Sequence, residues 1–233
     1  MSVLIVTGTG TGVGKTIVTA ALTACAIGSV AVVKLAQTGV GPGEPGDLAE
    51  VTRLSGCTDV HELARYPDPL SPHHAAMMSG LPALDQGTAV LRIADLEIDR
   101  DLVIVEGSGG LLVPYDRDRW TIYDLGLELA ADFLLVTSPG LGTINHTALT
   151  VEALEESSTV ANIVVGSWPE EPGLAERCNI FDLAQMARRS ELAGVLPRGI
   201  PGMTDFPQRA RVALAPQFGG TFDWPAFRAA ARP

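Results

Sequence analysis

The sequence predicts an α/β fold of three layers, in which a mainly parallel sheet is covered by helices on both faces. Short apolar runs recur along the chain, and each is followed by turn residues and then by a helical pattern. This alternation is typical of βαβ crossovers between parallel strands. Apolar residues make up 46% of the 233 residues and aromatic residues only 5%. That balance suits strands that are buried on both faces within one domain, residues 1–233.

The individual elements follow from this alternation. The runs expected to form strands are residues 3–7, 30–35, 102–105, 133–137, 161–165 and 194–196. The helical patterns cover residues 15–26, 47–54, 74–79, 145–156, 174–188 and 207–214. Residues 39–46 are rich in glycine and proline and are expected to form a loop inside the domain. Because ligands of parallel sheets bind beyond the carboxyl ends of the strands, we expect the functional site there.

The charge balance excludes several classes of partner. The 27 acidic residues outnumber the 16 Lys and Arg residues, so the net charge is −11. An acidic surface repels nucleic acid and anionic lipid, so neither is expected as a partner. No apolar run reaches the roughly 18 residues of a membrane helix, and no basic leader precedes the first strand. We therefore expect a cytoplasmic protein.

A glycine-rich turn follows the first predicted strand. Its sequence, Gly-Thr-Gly-Thr-Gly-Val-Gly-Lys-Thr over residues 8–16, leads directly into a predicted helix. Glycines let successive N–H groups turn toward one anion, and the helix start adds partial positive charge. Lys15 and Thr16 match the residues that reach the outer phosphates and Mg²⁺. Five residues rather than four separate Gly8 from Gly14, yet the flanking strand and helix fit a phosphate loop. The segment predicts binding of a nucleoside triphosphate with Mg²⁺ in a P-loop NTPase fold.

Three charged residues outside this loop are candidates for the same site. Lys34 ends the second predicted strand, near the loop; two converging cations could neutralise charge during phosphoryl transfer, but a solvated lysine explains it equally well. Glu106 ends an apolar strand, the place where the acid of phosphate-loop enzymes serves Mg²⁺. Asp47, with Glu50 three residues later, matches a capping box, and this local pattern favours a helix cap over a metal ligand.

These segments together resemble the dethiobiotin synthetase family. The chain carries Lys-Leu-Ala-Gln-Thr-Gly at 34–39, Ser-Pro-His at 71–73, Glu-Gly-Ser-Gly-Gly at 106–110 and Gly-Thr-Ile-Asn-His at 142–146, in the family's order. The five-residue spacing in the phosphate loop is also the one that this family shows. The resemblance covers roughly residues 3–200 and implies a ligase of biotin biosynthesis that uses 7,8-diaminopelargonic acid, CO₂ or bicarbonate, ATP or another nucleoside triphosphate, and Mg²⁺.

The resemblance also implies roles for individual residues. The catalytic residues would be Lys34, Lys15 and Thr11. The nucleotide would contact Gly12, Val13, Gly14, Lys15, Thr16, Ile17, Asp47, Glu106, Gly107, Ser108 and Gly109. The metal would be held by Thr16, Asp47 and Glu106. The substrate would contact Thr11, Lys34, Thr38, Gly142, Thr143, Ile144 and Asn145. Family members are homodimers with the substrate at the interface, and residues 142–145 would come from the neighbouring subunit. A simple βα loop capped by Thr143 or Asn145 remains an alternative for that segment.

The chain departs from the family pattern in three places. Many members have Asp where this chain has Gly10, and Pro where it has Leu35. A common Asn-containing base motif is replaced by Val-Gly-Ser-Trp-Pro at residues 165–169. Contacts to the base are then expected from backbone groups in two short segments, which leaves the nucleobase preference open. The residues of those segments are Gly166, Ser167, Pro197, Arg198 and Gly199.

Two other functions share this kind of domain. An amidoligase of the cobyrinic acid type carries an additional glutaminase domain, and 233 residues are too few to hold both. A nucleotide-dependent switch or partitioning ATPase typically has an extra lysine early in the phosphate loop, where this chain has only Gly and Thr. The motifs therefore favour the synthetase over both alternatives.

Overall fold

The computed structural model describes residues 3–155, 162–187 and 191–232. Its strands are β1 (Val3–Gly8), β2 (Val30–Lys34), β3 (Gln37–Thr38), β4 (Val60–Glu62), β5 (Arg65–Tyr66), β6 (Leu102–Glu106), β7 (Asp132–Thr137), β8 (Asn162–Trp168) and β9 (Gly194–Pro197). Its α-helices are α1 (Lys15–Cys25), α2 (Asp47–Ser55), α3 (Pro72–Ser79), α4 (Gln86–Asp99), α5 (Ile122–Glu128), α6 (Thr143–Glu155), α7 (Leu174–Met186), α8 (Phe206–Ala213) and α9 (Trp224–Ala230).

Seven of the strands form one parallel sheet, in the order β4-β2-β6-β1-β7-β8-β9. This confirms the predicted α/β fold. The strand that carries the phosphate loop, β1, lies between β6 and β7, while β2 lies on the far side of β6. The short strands β3 and β5 pair with each other outside this sheet. All carboxyl ends of the main sheet therefore meet at one edge, where β1 is the middle strand and β6 lies between β1 and β2.

Both faces of the sheet are buried, as the continuous apolar runs predict. Along β1, Val3 and Ile5 belong to one apolar cluster, and Leu4 and Val6 belong to another. Helices α1, α2 and α8 contribute buried side chains to the second cluster, and α3 to α7 together with α9 contribute to the first. Successive residues of a strand point to opposite faces, so each strand supplies both cores.

Each of the twelve predicted strands and helices begins and ends within three residues of an observed one, wherever the structure describes that end. Residues 156, 161 and 188, which were also predicted to lie in elements, fall outside the described residues. The sequence patterns missed β3, β4, β5, α4, α5 and α9. Two of these helices have readable start signals: the Asp85 side chain accepts from the Thr88 N–H, and Thr121 with Asp124 forms a capping box. No helix among the described residues is long and apolar enough to cross a membrane.

Candidate active site

The glycine-rich turn forms a loop between the end of β1 and the start of α1. Gly12 and Gly14 have φ values of 77° and 100°, in the left-handed region that favours glycine. The loop is fixed at its start by the Thr9 N–H, which donates to the Val136 carbonyl at 3.0 Å. It also packs tightly on β8, because a Cβ added to Gly166 would lie 2.2 Å from the Val13 carbonyl oxygen. A glycine at each of these positions lets the loop lie directly on the sheet edge.

Lys15 lies at the start of α1 with its ammonium turned back onto the loop. Its Nζ donates to the Gly10 carbonyl at 2.9 Å, and the residue is only 8% exposed. Burial lowers the pKa of Lys15 from 10.5 to about 8; the charge of Glu106 opposes this change and that of Lys34 adds to it. The ammonium is therefore under-compensated in the ligand-free protein, and a bound phosphate would supply the missing negative charge.

The second lysine lies between two carboxylates at the carboxyl end of β2. Lys34 Nζ is 2.6 Å from Asp47 Oδ2 and 2.7 Å from Glu106 Oε1, and it donates to the Gly107 carbonyl at 3.2 Å. Burial would lower the pKa of Lys34, but the charges and hydrogen bonds of Glu106 and Asp47 outweigh it, so the pKa is raised. Lys34 is 3% exposed. The alternative of a solvated lysine is therefore wrong.

The predicted capping role of Asp47 is also wrong. The N-cap of α2 is Gly46 and has no side-chain cap bond, while Asp47 is the first helical residue. Its carboxylate contacts Lys34 instead, and Glu50, the other half of the expected box, pairs with Arg53. The strong cation at the end of β2 attracts Asp47 more than the helix N–H groups do. This places the Asp47 carboxylate in the site.

Glu106 is the buried acid of the cluster. It is 1% exposed, and its Oε1 accepts from Lys34 and from the Thr16 hydroxyl at 2.9 Å. Its Oε2 is buried and has no hydrogen-bond partner among the residues that the structure describes. A buried carboxylate oxygen without a partner is costly unless a cation or water satisfies it. Together with the Thr16 hydroxyl and the Asp47 carboxylate, it fits the oxygen ligands that Mg²⁺ prefers.

These groups open into one cleft of about 790 Å³. Twelve of the predicted site residues line it, namely Thr11, Gly12, Gly14, Lys15, Thr16, Ile17, Lys34, Thr38, Asp47, Glu106, Ser108 and Gly109. The chain has only two lysines, and both lie in this cleft. The lining residues that the sequence reasoning did not assign are Ala36, Gln37, Pro69, Leu70, Ser71, Pro72 and Val113. Both lysine ammonium groups of a protein with a net charge of −11 therefore lie in the same cleft.

The loop after β6 is held by a buried tyrosine. Ser108 N–H donates to the Tyr115 hydroxyl at 3.0 Å, and the Ser108 hydroxyl donates to the Ala36 carbonyl. Tyr115 is fully buried and stacks on Trp120 with ring centroids 4.5 Å apart. A side chain at Gly107 would collide with Ile122, 2.6 Å away. Tyr115 was missed because nothing in its local sequence indicates a contact with this loop.

The remaining predicted residues lie outside the cleft lining. Val13 and Gly107 belong to the loops that form the cleft, and Gly166 lies against Val13. Near Gly166, the Arg198 N–H donates to the Trp168 carbonyl at 2.7 Å, and Arg198 Nε donates to the Ser167 hydroxyl at 3.3 Å. Pro197 pairs with Trp168 across β8 and β9, and Gly199 follows Arg198. The expected base-binding residues are therefore neighbours of one another beside the phosphate loop.

Residues 142–145 form the start of α6, beyond β7. Gly142 and Asn145 are exposed, whereas Thr143 is 2% exposed. The Thr143 hydroxyl lies 2.8 Å from the Thr137 hydroxyl, which also lies 2.8 Å from Thr147. The Thr143 side chain is thus bound to residues of this chain, which leaves Gly142, Ile144 and Asn145 as the more accessible residues of the segment.

This chain is similar to a protein-family model and to several curated proteins. A family model described as an AAA domain matches residues 2–201. The ATP-dependent dethiobiotin synthetase BioD of Frankia casuarinae is 56% identical over 235 residues, which cover 98% of each chain. Its counterpart from Rhodococcus jostii is 55% identical over 85% of this chain and 87% of that protein. The one from Streptomyces avermitilis is 48% identical over 99% of both.

Solved structures give a more distant similarity. A chain of the MinC:MinD cell division protein complex of Aquifex aeolicus is 17% identical, with a TM-score of 0.53 over 90% of this chain and 86% of that chain. Cyanothece McdA bound to ATP is 14% identical, with a TM-score of 0.52 over 99% and 94%. At this level of identity the similarity shows a shared fold and carries no argument about function.

Proposed function

This chain belongs to the ATP-dependent dethiobiotin synthetase family, a family of ligases, and from that premise we propose that the cleft converts 7,8-diaminopelargonic acid to dethiobiotin. One substrate amine forms a bond to the carbon of CO₂ and loses a proton, which gives a carbamate. A carbamate oxygen then attacks the γ-phosphorus of ATP, and ADP leaves. The second amine attacks the carbonyl carbon of this mixed anhydride and expels phosphate, which closes the cyclic urea.

The observation that carries the proposal is the convergence of the two lysines of the chain on one buried site. A carbamate and a γ-phosphate are both anionic, so their approach requires positive charge fixed in advance. Lys15 lies at the start of α1, where a phosphate chain would meet the loop N–H groups. Lys34 lies across the cleft at the end of β2, bound to two carboxylates. We assign Lys15 to the outer phosphates and Lys34 to the carbamate, with Thr11 and Thr38 beside the diamine.

The same geometry supports a magnesium site. Thr16, Asp47 and Glu106 would hold the metal, since Glu106 has a free buried oxygen and already binds Thr16. When bound, Mg²⁺ neutralises charge on the phosphate oxygens. Lys34 then has to share or give up its two carboxylate partners, which frees its donors for the carbamate. The residues of this chain that bind and orient the reactants are thereby coupled to the metal.

We propose that the enzyme is a homodimer whose partner subunit completes the substrate site. Residues 142–145 lie at the start of α6, where the partial positive charge of a helix N-terminus favours a carboxylate. Gly142 and Asn145 are exposed, and the adjoining Leu141 is 89% exposed. The proposal rests on the family to which the chain belongs, and the exposure of Leu141, Gly142 and Asn145 is consistent with a contact to a second copy.

One reaction tests the proposed function. Purified protein is incubated with the diamine, ¹³C-bicarbonate, Mg²⁺ and ATP, and the product is analysed by mass spectrometry. We expect dethiobiotin with a single ¹³C in its ureido carbon, and no product from a Lys34→Ala control. Triphosphate hydrolysis that is indifferent to the diamine, without labelled product, would refute the proposal and favour a nucleotide-dependent switch. Repeating the reaction with other triphosphates measures the base preference.

A further inference from the structure

Asp47 reaches the site from the first residue of α2, directly after a loop, rather than from a strand of the sheet. Its side chain is 35% exposed, and Oδ2 lies 2.6 Å from Lys34 Nζ. Residues 39–46, which precede it, contain no regular element. The lysine alone does not fix the direction from which the carboxylate approaches. Some other contact must hold the start of α2 in place.

Gln37 supplies that contact from β3. Its Oε1 accepts from the Asp47 N–H at 2.8 Å, and its Nε2 donates to the Thr38 carbonyl at 3.3 Å. Gln37 is only 5% exposed. The first N–H groups of a helix have no partner within the helix, so Gln37 serves as a cap contributed by another element. A Cβ at Gly46 would lie 2.6 Å from Gln37 Oε1, so a side chain there would displace the Gln37 amide from its place beside the Asp47 N–H.

Arg65 holds the preceding loop from the neighbouring strand. It is paired with Gln37 in the register of β3 and β5. Its Nη1 donates to the carbonyls of Gly41 and Glu44, at 3.0 and 2.8 Å. Glu62 fixes the guanidinium with two hydrogen bonds, at 2.6 and 2.8 Å. A planar guanidinium anchored on one edge can present its other donors in a defined direction.

We infer that Gln37 and Arg65 are positioning residues for the reaction, because together they hold the loop and deliver the Asp47 carboxylate to Lys34 and the metal. Neither side chain has to touch a reactant for this role. The inference rests on the proposed function of Asp47 as a metal ligand. It explains why a buried amide and a bidentate ion pair are placed around a loop that has no regular structure of its own.

The test compares Gln37→Met and Arg65→Met with a matched control, Arg53→Met, which lies on α2, the helix that begins with Asp47. Arg53 also pairs with a glutamate three residues earlier, Glu50, at 2.6 Å, but its other bond goes to the Pro201 carbonyl. Mn²⁺ binding is measured by electron paramagnetic resonance with a non-hydrolysable ATP analogue, and the half-saturating Mg²⁺ concentration is measured in the steady state. Gln37→Met and Arg65→Met should each raise the dissociation constant for Mn²⁺ and the half-saturating Mg²⁺ concentration about tenfold, while the KM for the diamine changes about twofold at most. Arg53→Met should match the wild type in all three quantities.

A structural readout and a second comparison separate the possible failures. Amide exchange at Asp47 should become about tenfold faster in Gln37→Met, since its acceptor is gone. Asp47→Asn should weaken Mn²⁺ binding at least as much as either variant. If Asp47→Asn weakens binding and the other two do not, the positioning role is refuted and the proposed metal site stands. If Asp47→Asn has no effect, both the ligand role of Asp47 and this inference are overturned.

Discussion

Replacing Lys15 by methionine should stabilise the ligand-free protein at neutral pH, although it removes a residue proposed for catalysis. The ammonium is 8% exposed and has one hydrogen bond, 2.9 Å from the Gly10 carbonyl. Burial lowers the pKa of Lys15 from 10.5 to about 8. The native structure therefore keeps a cation that it does not fully compensate, and methionine fills a similar volume without charge.

The size of the effect follows from the two pKa values. A fall from 10.5 to about 8 corresponds to about 3 kcal/mol at neutral pH, and loss of the hydrogen bond to Gly10 offsets about 1 kcal/mol. We expect a net stabilisation of about 2 kcal/mol. Between about pH 8 and pH 10.5, the pKa values of Lys15 in the folded and unfolded states, the unfolded chain binds more protons than the folded one. The free energy of unfolding of the wild type therefore rises with pH in this range. The advantage of the variant is thus full at pH 7 and disappears as the pH rises from 8 toward 10.5.

Two measurements check this prediction. Urea unfolding at pH 7 should show a midpoint about 1 M higher for Lys15→Met, and the difference should narrow as the pH is raised. Because the chain has two lysines, a sample labelled with ¹³Cε-lysine gives two side-chain signals, and the variant retains only that of Lys34. One signal should titrate near pH 8 while the Lys34 signal stays protonated. Equal stability at pH 7, or a difference that does not change with pH, would refute the reasoning.

Three further predictions concern other parts of the site. Lys34→Met should abolish product formation and cost about 3–5 kcal/mol, because two carboxylates lose their cation; adding Glu106→Gln should recover stability but not activity. Gly166→Ala should weaken ATP binding measured by calorimetry, since its Cβ would lie 2.2 Å from a loop carbonyl, whereas Gly10→Ala, with nothing within 4 Å, should not. Thr137→Val should lower the free energy of unfolding by about 1–3 kcal/mol through its buried hydroxyl partners.

Each of these has an outcome that contradicts it. Unfolding of the Lys34→Met protein at the wild-type urea midpoint would show that the ion cluster contributes little. Equal ATP affinities for the two glycine variants would remove the argument from close packing of β8 on the loop. A Thr137→Val protein as stable as wild type would show that Thr143 and Thr147 satisfy each other without it.

The sequence by itself predicted the α/β fold, the phosphate loop and the acid at the end of β6. These features are local: the loop glycines, Lys15 and Thr16 follow one another in the chain, and apolar runs report burial directly. Family resemblance extended the prediction to Lys34, whose local sequence left its role open. The helices that were missed, such as α4 with only Ala89 and Ile93 buried, have a narrow apolar face that gives a weak periodic signal.

Only the tertiary structure decided which of these groups meet. The strand order inserts β6 between β1 and β2, so Lys34 pairs in register with Glu106, 72 residues later in the chain. The Asp47 carboxylate binds Lys34 instead of capping α2, and the Gln37 side chain accepts from the first N–H of that helix. Local patterns cannot show such choices, because they depend on electrostatic contacts between distant segments that exist only once the sheet has formed.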